Sequence, residues 1–216
     1  MNTVKIKARK ARRKSYHHGD LRQQLLAVAE KIILEAGVDG FTLREAARRL
    51  GVSPAAPAHH FKDARGLLTE VATLGFREFG DALEKADQEA GADPLRRLHS
   101  QGVAYVRFAL DQPARFQLMF RHDKHDTGNP EFSSAAKRAY GILESAIRAA
   151  TDTSAQQELT PESFGLLIAV WSLVHGFSHL ALGGELSVHG VQNDAILTAL
   201  LPKVLQYLPA ALRGSA

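Results

Sequence analysis

Residues 42–54 constrain the fold of this chain more than any other stretch. They carry the start and stop signals of two short helices back to back. Thr42-Leu43-Arg44-Glu45 has the form of a capping box. The Thr42 hydroxyl accepts from the amide three residues on, and the Glu45 carboxylate reaches back to the Thr42 amide. Leu43, Ala46, Ala47 and Leu50 recur at helical spacing, and Gly51 suits the left-handed residue that ends a helix. Ser53 is a second N-cap, and Pro54 sits at a first helical position, where its missing donor costs nothing. The spacing predicts a helix over 43–50, a turn at Gly51-Val52-Ser53 and a helix from Pro54 to about Phe61. Pro57 removes the first bond of that last helix, which must then be held by packing through Phe61.

Two short helices joined by such a turn fit a helix-turn-helix, with Ala47 allowing close contact and Gly51 the tight turn. Leu43, Leu50, Val52 and Phe61 are its expected core. The outward face is left with Ala55, Ala56, Ala58, His59, His60 and Lys62. Small side chains admit close approach to a groove, and His and Lys donate to phosphates or guanine acceptors. Two core helices around a tight turn, with no nucleic acid, fit the same residues.

Charge separates these readings. The chain is +4 overall, yet Lys5, Lys7, Arg9, Lys10, Arg12, Arg13 and Lys14 give residues 1–14 a charge of +7 with no acid, leaving −3 for the rest. A basic first third on an acidic remainder points to a polyanionic partner. A solubilising tail is the alternative for the arm alone. It has few large apolar residues to insert into a membrane surface, and no long apolar run follows it as in a secretory signal.

The rest of the chain reads as all-α. A first helix is expected from an Asp20 cap to Gly37, and a long helix over 64–90. Others open at Pro94 and Pro113, at Pro130 after a polar loop over 122–129, and at Pro161 after a Thr160 cap. A last helix is expected from about Val191 to Leu208. The apolar stretch from Phe164 to Leu182, broken by Ser172, His175, Gly176, Ser178 and His179, reads as a buried helix rather than a membrane span. The expected organisation is a flexible basic arm over 1–15, a helix-turn-helix domain over 16–65 and a helical domain over 66–216. There is no cysteine, which excludes disulfides and thiolate metal sites and fits a cytoplasmic protein.

Phe41 to Ser53, followed by His60-Phe61 and Leu67-Leu68, resembles the N-terminal domain of the tetracycline-repressor (TetR) family. Tyr16-His17-His18-Gly19-Asp20-Leu21-Arg22 looks like the start of one branch, whose C-terminal Trp-His-Gly signature is similar to Trp171-Ser172-Leu173-Val174-His175-Gly176. The resemblance implies a transcription regulator that binds double-stranded DNA as a homodimer, with a small-molecule effector pocket in the C-terminal domain and dimerisation through the last two long helices. It implies that Thr42 caps its helix and touches phosphate, and that Arg44, Ser53, Ala55, Ala56 and His59 lie at or near DNA. The chain departs from the family at Pro57-Ala58, where Leu-Tyr is common, and at Ala64, where lysine is common. Lys62, Arg65 and the arm are the residues expected to compensate.

In the C-terminal domain Phe108, Phe116, Met119, Phe120, Phe164, Trp171 and His175 are candidates for the wall of an apolar pocket with few polar handles; for any one of them ordinary core is the favoured reading. Leu197, Leu200, Leu201, Val204 and Leu205 suit a core or a dimer seam. His175 and His179 have metal-ligand spacing, the basis of an alternative reading as a helical enzyme or metal protein. However, Gly176 stands where a zincin has glutamate. His122, Asp123, His125 and Asp126 form a loop cluster better suited to solvent than to a metal. No phosphate-binding glycine loop or nucleophile elbow is present, and nothing nominates a cofactor or a catalytic residue. A DNA-binding dimer without an effector also fits.

Overall fold

The computed structural model describes residues 18–192 and 195–208. Asn193, Asp194 and the arm, with all seven of its cations, lie outside them. Among the described residues every regular element is helical: α1 (His18–Ala36), a 3-10 turn (Val38–Gly40), α2 (Leu43–Leu50), α3 (Ala58–Phe61), α4 (Ala64–Ala90), α5 (Pro94–Asp111), α6 (Pro113–Met119), α7 (Pro130–Ala150), α8 (Pro161–Gly183), α9 (Glu185–Val188) and α10 (Leu201–Leu205).

Caps explain most boundaries. Thr42, Asp63, Asp93, Asn129 and Thr160 each accept a helix amide through the side chain, and proline opens α5, α6, α7 and α8. α4 is the spine. It packs against α5, α6 and α7, while α5 and α7 pack against α8. Among the described residues a single apolar core runs from Leu21 and Leu25 in α1 through Val71, Phe116 and Leu167 to Leu205.

Four expectations are corrected. α1 begins at His18, so Asp20 lies within its first turn rather than before it. α3 is four residues long rather than eight. Ala56, Ala58 and His59 donate three residues back, and α-type bonds begin only at Phe61 N–H to Pro57 carbonyl. Without an amide, Pro57 cannot bond Ser53, so the lead-in stays a tight 3-10 path and Ser53 does not cap the helix through its side chain. The C-terminal helix is shorter than expected and changes register within its length. Ile196–Leu200 forms a π-helical turn in which Leu201 N–H bonds back to Ile196 carbonyl. Pro202 follows at once with no amide to donate, so a continuous 3.6-residue register is lost there.

Finally, α8 is only partly buried. Leu166, Leu167, Val170, Val174 and Phe177 face the core, while Phe164, Ile168 and Leu180 are exposed. By length and composition alone α8 also qualifies as a membrane span, but one third of that window is buried against the fold.

Candidate DNA-reading surface and effector cavity

The helix-turn-helix closes as its signals require. Thr42 Oγ1 accepts from Glu45 N at 3.2 Å, a cap whose loss to alanine costs about 1 kcal/mol. The reciprocal half of the capping box is replaced. The Glu45 carboxylate takes hydrogen bonds from Arg48 and Arg49 at 2.8 Å, which hold it near pKa 2. Gly51 adopts φ 65°. Val52 N reaches Ala47 O at 3.1 Å and Gly51 N reaches Arg48 O at 3.2 Å, which is a Schellman closure.

Phe61 is buried, and Leu43, Leu50, Val52 and Ala56 pack partly buried around it. Arg22 of α1, unremarked in sequence as a contact, places its guanidinium 5.4 Å over the Phe61 ring and pairs with Glu70 of α4. This clamp holds the short α3 that propensity alone would not.

The outer surface then presents Thr42, Arg44, Ser53, Ala55, His59 and Lys62, all exposed; His60 and Ala56 are half-buried. Lys62 leaves α3 at φ 65°, ψ −58°, with Asp63 N bonded to Phe61 O at 2.7 Å. This γ-turn is a strained form for a residue with a side chain.

The C-terminal part holds a cavity of about 320 Å3 between α4, α5, α7 and α8. Of the nominated residues, Phe120 and Trp171 are in its wall. Phe116 and Met119 are fully buried core, Phe108 is buried against Phe79, and Phe164 is 49% exposed on the outer face of α8. Periodicity marks all of these as apolar without separating wall from filled core. Gln101, Tyr105, His122, Lys137 and Tyr140 supply polar groups that sequence reasoning missed. For Gln101 and Tyr105 a signal existed, since both lie on the inward stripe of α5 with Leu98 and Phe108.

His175 sits behind the wall. Trp171 Nε1 donates to the Tyr105 hydroxyl at 3.4 Å, and that hydroxyl lies 2.7 Å from His175 Nδ1. Burial lowers the His175 pKa, helped by His179, and burial raises that of Tyr105. The three side chains thus form one hydrogen-bonded chain, in which the imidazole tautomer sets the donor between Tyr105 and His175. The His175 and His179 rings meet edge to face, their centroids 4.6 Å apart. Among the described residues no third side chain joins them as a metal ligand. The loop cluster does not converge on a metal either: Asp123 is paired with Arg121, and His125 is fully buried with Nε2 on Met119 O.

The cavity and the reading surface are connected. His122 lines the cavity. Three residues on, His125 O accepts from Arg65, and Asp126 N donates to Thr69 Oγ1 at 2.9 Å, both at the start of α4. Arg115 of α6 bonds Glu30 of α1 at 2.8 Å. Arg121 and Lys124 grip Asp39 between α1 and α2, and their hydrogen bonds hold its carboxyl near pKa 2.

Two family models match the chain: the bacterial regulatory proteins of the tetR family over residues 25–71, and the tetracyclin repressor-like C-terminal domain over residues 98–204. No curated protein matches it. Among solved structures, a protein of unknown function from Rhodococcus sp. RHA1 is 33% identical, covering 89% of this chain and 97% of that one with TM-score 0.66. The TetR family transcriptional regulator PfmR from Thermus thermophilus is 21% identical, with coverages of 89% and 95% and TM-score 0.64. The fatty acid degradation regulator FadR from Bacillus halodurans is 15% identical, with coverages of 87% and 93% and TM-score 0.63. With a capped helix-turn-helix at one end, a helical cavity domain at the other and family matches over both, the chain belongs to the TetR family of DNA-binding transcriptional regulators.

Proposed function

We propose that this chain is a ligand-responsive repressor that binds a near-palindromic operator as a homodimer in the cytoplasm. The observation that carries the reading is the 122–129 loop. It gives His122 to the cavity wall and, through His125 and Asp126, holds the first turns of α4 beside the reading helix. A molecule in the cavity acts only through its different affinity for DNA-matched and mismatched arrangements. A shift of this loop changes that match, because α3 is joined to α4 by the tight turn at Lys62-Asp63.

DNA contact is assigned to Thr42, Arg44, Ser53, Ala55 and His59, with Lys62, His60, Ala56 and the arm cations beside them. The exposed apolar residues of α8, Phe164, Ile168 and Leu180, support a face covered by a second copy. Each subunit then places one α3 in the major groove, the half-sites lying one helical turn, about 34 Å, or a multiple apart.

Footprinting on the DNA flanking the chain's own gene tests this reading. Two equivalent protected half-sites related by two-fold symmetry are expected. A single half-site, or protection that follows no sequence, contradicts it.

A further inference from the structure

The polar groups of the cavity define the chemistry of what fills it, on the reading of that cavity as an effector site. Two are already satisfied within the protein: the Trp171 indole and the Tyr105 hydroxyl form a chain with His175 behind the wall. Gln101 differs. It is 4% exposed, and its amide nitrogen donates to Asp87 Oδ1 at 2.6 Å and to Ile142 O at 3.4 Å. Asp87 is itself fixed by two hydrogen bonds from Arg97. Turning the carboxamide over would set its oxygen against the Asp87 carboxylate, so the orientation is locked. Gln101 Oε1 is left buried with no donor among the described residues. An unmet buried acceptor costs about 1–3 kcal/mol, which a bound N–H or O–H recovers.

The rim has the opposite need. Lys137 is exposed and shares the wall with exposed His122. Lys137 has no ion-pair partner among the described residues, and the acids of its own helix are engaged, Glu131 by Arg77 and Glu144 by Arg148. Between the buried amide and the cationic rim the wall is apolar, with Phe79, Leu83, Leu98, Val170 and Val174. Lys137 precedes Ile142, the level of Gln101, by five residues on α7, or about 7.5 Å along the helix axis.

We infer that the effector is a small amphipathic acid. Its carboxylate meets Lys137, its hydrocarbon body fills the cavity, and a hydroxyl or N–H at its far end donates to Gln101 Oε1. The volume of about 320 Å3 is near the lower end of small-molecule pockets, about 300–1,000 Å3. A medium-length hydroxy acid fits it better than a large fused-ring compound.

Trp171 is the single tryptophan and lines the cavity, so its fluorescence reports occupancy. The full-length protein is titrated with ω-hydroxy fatty acids of about 6 to 12 carbons, with the parent acids and with the matching diols. At the best length the hydroxy acid is expected to bind at least about 10-fold tighter than either analogue, a difference of about 1.4 kcal/mol. Gln101→Leu is expected to erase the preference over the parent acid, and Lys137→Met, at an exposed site, the preference over the diol.

Equal binding of the three probes overturns the inference, as does the absence of any Trp171 response or an unchanged profile in Lys137→Met. Should Gln101→Leu not fold, the wild-type series and Lys137→Met still decide. Operator binding is measured on the same samples. Probes that bind without preference and release DNA overturn this assignment and leave the regulator standing. Selective binding with no effect on DNA supports the assignment and overturns ligand response.

Discussion

Gly66→Ala is expected to destabilise the protein by about 3 kcal/mol, at or beyond the upper end of ordinary overpacking. A Cβ at this position would stand 2.1 Å from the carbonyl oxygen of Phe61. The obstacle is backbone, and three neighbours fix it. Phe61 O already accepts from Asp63 N, Gly66 N is bound to Asp63 Oδ1 at 2.8 Å, and Lys62 between them holds a positive φ. Relief therefore requires moving α3 away from α4.

For a chain of this size the melting temperature should fall by about 6–12 °C. Operator affinity should fall further than stability explains, because the residue that shifts is the last of the reading helix. Gly141→Ala is the control. Nothing lies within 4 Å of its added Cβ, and in a helix interior alanine gains up to about 1 kcal/mol over glycine. A Gly66→Ala change below about 1 kcal/mol would show that the corner is pliable, against the account of α3 and α4 as one rigid hinge.

Deleting residues 1–14 is expected to have the largest effect on DNA. Each phosphate neutralised contributes about 0.9 to the slope of log affinity against log salt, so an arm with all seven cations engaged removes about 6 per subunit. The reading surface is poor in cations. Arg44 and Lys62 are exposed on it, whereas Arg48 and Arg49 are bound to Glu45. A loss of at least about 3 in slope is therefore expected, with affinity at low salt falling by about 100-fold or more. Salt titration of the deleted and full-length proteins reads this directly. An unchanged slope would show that the arm does not touch DNA.

The parts of the fold visible in sequence are those fixed by local chemistry. Thr42, Gly51, Pro94, Asn129-Pro130 and Thr160-Pro161 act on their own backbone neighbours, so α2, α5, α7 and the start of α8 could be placed from residues alone. Pro57 was readable as a weak point, but its full consequence was not. A helix of eight residues shrinks to four once the first bond fails, and Phe61, Arg22 and Glu70 hold the remainder from three elements.

The cavity was legible only as an apolar region. Phe116 and Phe120 share one helical pattern, yet one fills the core and the other borders a hollow, because that depends on what faces them. The loop contacts from Arg121 to Asp39 and from Arg65 to His125 span 82 and 60 residues. No local signal encodes them.

The most direct test of the central claim is fluorescence anisotropy with the duplex flanking the chain's own gene, set against a scrambled duplex of equal length and repeated across a salt series. The account predicts at least about 10^3-fold preference for the former at physiological salt, and affinity for both duplexes falling log-linearly as salt rises. Equal affinity for the two duplexes at every salt concentration would contradict it.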